Sequence, residues 1–275
     1  MTALSFSPVP ALSIAGMWES LIIAVGLPVA LCIAVRRRLK SALSPVFVGA
    51  GTFVVFACVL EALVHNVVLS SALGAQLQGT LWAYALYGGA MAALFEEFGR
   101  LIAMKLFMKN KLTRENAIMY GVGHGGIEAI LIVGLSSVAN LGYSAMINSG
   151  ALEASLAALD AASAEALHAQ LSALWTTAPT LFFASGVERI SAIVLQIALS
   201  YFVYRALAYG KKWSFVAALL VHGGVDFVAV LLNGRVGIWS LERIIMLMSV
   251  AFAACAYHLY RADAARAQDA AGATG

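Results

Sequence analysis

Charge is scarce in this chain. Only 11% of its 275 residues are Asp, Glu, Lys or Arg, against about 25% in a typical soluble domain. That composition excludes an ordinary water-soluble domain. The net charge of +3 is small, and no nucleic-acid partner is expected. Cysteine is also scarce: Cys32, Cys58 and Cys255 lie scattered in apolar runs. They allow neither a disulfide framework nor a Cys-x-x-Cys metal pair, and read as small buried hydrophobes. The five prolines and 24 glycines are spread along the chain, which excludes a low-complexity linker.

What the chain has is apolar surface. Hydrophobic residues make up 62% of it and the mean hydropathy is +0.89. The expected fold is an all-α polytopic membrane bundle, a single integral domain over 1–261. An Ala-rich tail, 262–275, is expected to fray. A span needs roughly 20 apolar residues, and seven stretches qualify: 17–35, 46–70, 80–107, 117–137, 178–206, 213–232 and 238–260.

Basic residues orient these spans. None precedes the first, whereas Arg36, Arg37, Arg38 and Lys40 follow it. That order is the reverse of a cleaved signal peptide and indicates a retained helix with its N-terminus outside. Lys105, Lys109, Lys111 and Arg114 follow the third span; Arg205, Lys211 and Lys212 follow the fifth; Arg261 and Arg266 follow the seventh. Arg235 and Arg243 break the pattern, softened by Glu242. The segment 138–177 has no Lys or Arg and carries Glu153, Asp160 and Glu165, so it belongs outside. Its leucines recur at helical spacing. Asp160 and Ser163 divide it into two short helices, with Ser163 as an N-cap. The expected C-terminus is cytoplasmic.

Against this apolar background the ionisable residues stand out, because each costs a few kcal/mol or more inside a membrane span. Two clusters match: His124-Gly125-Gly126-Ile127-Glu128 and His222-Gly223-Gly224-Val225-Asp226. Each puts a histidine and a carboxylate on one helical face. Glu96-Glu97 sits on a third apolar stretch. At about 1.5 Å per residue, Glu96 lies ~16 Å, His124 ~10 Å and His222 ~13 Å from the inner ends of their spans. Glu128 and Asp226 lie one turn deeper, so all five share a layer. Arg100, four residues from Glu96, can pair with it.

Such a layer suits general acid–base chemistry. Histidines and carboxylates from separate helices also form a ligand set for a divalent metal such as zinc, with His124, Glu128, His222 and Asp226 as candidates. The paired glycines suit either close helix approach or a substrate backbone. Further out, Glu61 and His65 are four apart, and Glu188 and Arg189 lie at a comparable depth. A Glu61–Arg189 ion pair there would be structural, while Glu188 joins the site only if the fifth helix unwinds. His168 and His258 read as solvated.

Three motifs in order carry a resemblance: Glu96-Glu97-Phe98-Gly99-Arg100, then Tyr120-Gly121-Val122-Gly123-His124, then His222-Gly223-Gly224-Val225-Asp226. Together they resemble the superfamily of type II CAAX prenyl proteases (the CPBP family) and PrsW, and most closely its YhfC branch of intramembrane peptidases. The resemblance covers a core of about 80–232. It implies that Glu96 with Glu97 activates water, that His124 is the second-motif histidine, and that His222 and Asp226 bind or polarise the scissile carbonyl. Arg100 stands one residue closer to the glutamates than in the prenyl-protease pattern, Tyr120 replaces Phe, and Glu128 is added. The resemblance therefore implies a glutamate- or metal-dependent intramembrane endopeptidase of the bacterial inner membrane. Its partners would be the bilayer and a membrane-embedded protein or peptide substrate. A silent scaffold of the same superfamily and a proton-coupled transporter are the alternative readings.

Overall fold

The computed structural model describes residues 6–156 and 159–272. Among them there is no strand. Seven long helices follow in order: α1 (Ala11–Arg38), α2 (Ser44–Leu69), α3 (Leu81–Phe107), α4 (Arg114–Asn148), α5 (Thr180–Ala208), α6 (Lys212–Leu232) and α7 (Ile238–Gly272). The protein is an all-α polytopic bundle.

Six of these helices, all but α3, are long and apolar enough to cross a membrane. The sequence reading gave seven spans. The difference is α3, whose 27 residues suffice in length but include the charged Glu96, Glu97 and Arg100. In α5, 67% of the most apolar stretch is buried, against 17–28% in the other five. Large side chains such as Val67, Phe107, Leu220 and Leu247 point outward. Apolar surface on that scale requires lipid around it.

Two boundaries differ from expectation. α4 continues to Asn148, eleven residues past the expected end. Nothing breaks it until Gly150, whose φ of 76° ends the helix in the left-handed region. α7 continues to Gly272 where a frayed tail was expected; residues 273–275 lie outside the described ones. The cause is Asp263, which is buried, accepts a bond from Tyr201 Oη at 2.8 Å, and pairs with Arg205 Nε at 2.7 Å.

The chain, read from sequence as one domain, sorts into two compact units. The first contains the described residues of Met1–Gly26 and of Ala129–Arg189. Its core is Val9, Met17, Ile147, Leu152, Leu171 and Leu174. Asn148 ties the N-terminal strand of chain to α4 by accepting from Val9 N at 2.7 Å. Among the described residues, the rest of the outer segment contains three short helices, Ala151–Leu156, Ala161–Leu171 and Ala173–Thr176. The N-cap of the second is Asp160 rather than Ser163. Asp160 has extended backbone, and its carboxylate accepts from both the N–H and the hydroxyl of Ser163. Those bonds hold the Asp160 carboxyl below its ordinary pKa. His168 is packed against Phe6, with ring centroids 4.9 Å apart, rather than simply solvated. His258 is exposed, as expected.

The second unit contains Leu27–Glu128 and the described residues of Ile190–Gly275. Its core centres on Met104, Tyr120, Leu199, Phe202 and Ala218. Glycines set its helix spacing. A Cβ on Gly89 of α3 would stand 2.3 Å from the Gly223 carbonyl oxygen of α6. A Cβ on Gly123 of α4 would stand 2.0 Å from the Val46 carbonyl oxygen of α2, and one on Gly121 would stand 2.6 Å from Ile197 Cα of α5. In each case the obstacle is backbone, so neither helix can yield by a rotamer change. Gly224, by contrast, has open space where its Cβ would be. We expect Gly89→Ala to destabilise the protein by about 1–3 kcal/mol through overpacking, and Gly224→Ala to leave it unchanged. Thermal unfolding in detergent distinguishes the two.

Candidate metal and proton-transfer centre

The site lies wholly in the second unit. α3 supplies Glu96, Glu97 and Arg100; α4 supplies His124 and Glu128; α6 supplies His222 and Asp226. These are the residues that the sequence singled out, and the structure brings them together. Glu97, Arg100 and His124 have no solvent exposure, and Asp226 is the most open of the set, with 35% of its side chain accessible.

Each glutamate of the pair takes its own histidine. His124 Nε2 lies 2.8 Å from Glu96 Oε2, and His222 Nδ1 lies 2.8 Å from Glu97 Oε1. The 100° offset between adjacent helical residues produces this split. His222 Nε2 lies 3.5 Å from Asp226 Oδ2 and 4.0 Å from Glu96 Oε2. His124 is held between aromatic rings: Tyr120 stacks at 6.2 Å, and Phe53 meets it edge-on at 5.4 Å. Among the described residues its Nδ1 has no hydrogen-bond partner. An ionised Glu96 can only accept, so the contact places the ring proton on Nε2, which donates to Glu96.

Glu96, His124 and Glu128 each offer a ligand atom, all within 4.8 Å of one another. This set differs from the sequence candidates: Glu96 joins it, while His222 and Asp226 do not. A nitrogen and two carboxylate oxygens suit a borderline cation such as zinc. The charge balance agrees, since Glu96, Glu97, Glu128 and Asp226 face the single fixed cation of Arg100. The residues present fit a divalent metal.

Arg100 lies 3.4 Å from Glu97 Oε1 and 3.9 Å from Glu96 Oε2. Its Nη1 donates to the Gln196 carbonyl and to Ser200 Oγ, both at 2.9 Å, and its Nη2 donates to Gln196 Oε1 at 2.5 Å. Gln196 and Ser200, on α5, were missed in the sequence. The available signal was an uncharged amide within an apolar stretch, Ile193-Val194-Leu195-Gln196-Ile197, which a search restricted to ionisable residues passes over.

Glu188 belongs to the first unit, where it accepts hydrogen bonds from the neighbouring Arg189. α5 is continuous through it, so the unwinding that would have redirected it does not occur. Glu61 and His65, four apart in the sequence, pair with each other, with Nε2 3.0 Å from Oε1. Tyr87 Oη, not anticipated, meets the other ring nitrogen at 2.9 Å. An apolar groove of about 430 Å³ runs between α3 and α6, lined by Ala90, Ala93, Leu219, Gly223, Gly224 and Phe227 among others; none of the ionisable site residues lines it.

Residues 22–250 match the sequence model of a family described as YhfC intramembrane metalloprotease. The chain belongs to that family. It is also 39% identical over 211 residues to the membrane protein YhfC of Bacillus subtilis (strain 168), described as uncharacterized; the match covers 76% of this chain and 81% of the relative. No solved structure matches. Family membership and the long apolar helices make this an integral membrane protein. The family's name gives the ligand set of Glu96, His124 and Glu128 a chemical context.

Removing the guanidinium would strand several buried acceptors. Arg100→Met should cost about 3–5 kcal/mol, the range for breaking one side of a buried ion pair. Arg100→Lys should recover only part of this, because an ammonium cannot reproduce the planar fork. Unfolding midpoints of the three proteins check both expectations.

Proposed function

We propose that this protein is an intramembrane endopeptidase that hydrolyses a peptide bond of a membrane-embedded protein or peptide. The observation that carries the reading is the convergence of Glu96, His124 and Glu128 at metal-ligand spacing, buried among apolar helices. Family membership supports it. These three residues would hold a divalent cation, and when bound it would supply the Lewis acidity that makes water a competent nucleophile at neutral pH.

The chain's own residues move the proton. His222 Nδ1–H donates to Glu97, which leaves Nε2 as the basic nitrogen and orients it. Nε2 takes the proton of the attacking water as the C–O bond forms. Glu97 and Asp226 stabilise the imidazolium that results. The same proton passes to the leaving nitrogen as the C–N bond breaks, so no external acid is needed. In this assignment Glu96 is a ligand, and the general-base role expected of it passes to His222. We place the enzyme in the bacterial cytoplasmic membrane, N-terminus out and C-terminus in, with the site reached from the cytoplasmic side.

The test is cleavage of a candidate membrane substrate in reconstituted vesicles, with metal analysis of the purified protein. Glu96→Gln and His124→Ala should lose both bound metal and cleavage. His222→Ala should keep the metal and lose about 10²–10⁴-fold in rate. A chelator should abolish cleavage and added zinc restore it. Cleavage that survives in all three variants would sink the mechanism.

A further inference from the structure

Gln196 takes no part in the proton transfer, yet it sits at the centre of the site. It is 3% exposed, on a face of α5 that α4 approaches closely: a Cβ on Gly125 would stand 3.0 Å from Gln196 Cβ. An amide in that position could point either way. Arg100 decides the matter by donating to its Oε1, so the amide nitrogen must face the other direction. There it donates to Glu96 Oε2 at 3.0 Å and to Glu128 Oε2 at 2.9 Å. One amide group therefore bridges two of the three ligand carboxylates and nitrogens that converge in the site, and its orientation is set by a cation that never titrates.

Resting on the metal reading above, we propose that Gln196 is the positioning residue of the metal site. Its two N–H groups fix the rotamers of Glu96 and Glu128 and offset their mutual repulsion, so that both carboxylates are held at ligand spacing. α3 and α4 present the two glutamates from different helices, and Gln196 on a third helix sets their separation. Partners of this kind orient metal ligands, and their loss lowers metal affinity by about 10–100-fold.

The experiment measures zinc affinity of the full-length protein in detergent, by competition with a chromophoric chelator, alongside its melting temperature. Gln196→Met removes the bridge while keeping the side-chain length. Gln196→Asn keeps the amide but is too short to reach both carboxylates, and serves if the methionine variant does not fold. Both should lose about 10–100-fold in affinity. Ser200→Ala removes an Arg100 partner that touches neither carboxylate, and should leave affinity unchanged. If the wild type binds zinc and both Gln196 variants bind equally well, the positioning role is overturned and the metal reading stands. If Ser200→Ala loses as much affinity as they do, Gln196 is merely structural and the proposal is again overturned. If the wild type takes up no divalent metal, the metal reading falls and this inference falls with it.

Discussion

A guanidinium without any solvent exposure is the interaction on which the second unit depends. An arginine in an apolar bundle is tolerable only if most of its donors are used: Arg100 spends its two terminal nitrogens on Gln196, Ser200 and Glu97, while its Nε has no partner among the described residues. Those contacts draw α3 and α5 together and aim an amide at the carboxylates. The carboxylates in turn hold the two histidines of α4 and α6. Each link is a charge-assisted or amide bond in a low-dielectric surrounding, where unpaired groups are most costly. The chemistry and the packing of this unit therefore share the same atoms.

Backbone proximity makes those contacts possible. Helices that bring Glu96, His124, Gln196 and His222 within hydrogen-bond reach must approach more closely than side chains ordinarily allow. The glycines at 89, 121, 123 and 223 remove the obstruction. Stabilisation of an apolar bundle in lipid comes largely from such van der Waals contact, since lipid offers no hydrophobic drive for helices to associate.

Much of this was legible in the sequence, for identifiable reasons. Hydropathy located the seven long helices, six of them apolar enough to cross a membrane, because a span must bury its backbone polar groups internally. The ionisable residues of the site were found because charge in a span is costly and so is rarely incidental. Depth along a helix follows from rise per residue, which put Glu96, Glu128 and Asp226 in one layer. Azimuth does not follow, and the errors fall there. The group that lies at metal-ligand spacing, Glu96, His124 and Glu128, differs from the sequence candidates because helix rotation is fixed by glycine contacts between distant segments. Gln196 and Tyr87 were missed because neutral polar groups carry no comparable penalty signal. The helical end of α7 was missed because Asp263 finds Arg205 only through tertiary contact. Ser163 was displaced as a cap by Asp160, one turn earlier, because the carboxylate serves both of the serine's donors.

The surroundings of the two histidines also imply a division of labour. Tyr120 and Phe53 clamp the plane of the His124 ring, and no solvent reaches it. A ring so confined has little rotational entropy left to lose when it binds something, and it cannot swing to carry a proton from one place to another. His222 is followed by Gly223 and Gly224, the second with open space beside it, and its Asp226 partner is partly accessible. That is a setting in which a proton can be exchanged and small adjustments made. Two histidines with nearly the same local sequence are thus set apart by what encloses them, the one confined and the other with room beside it.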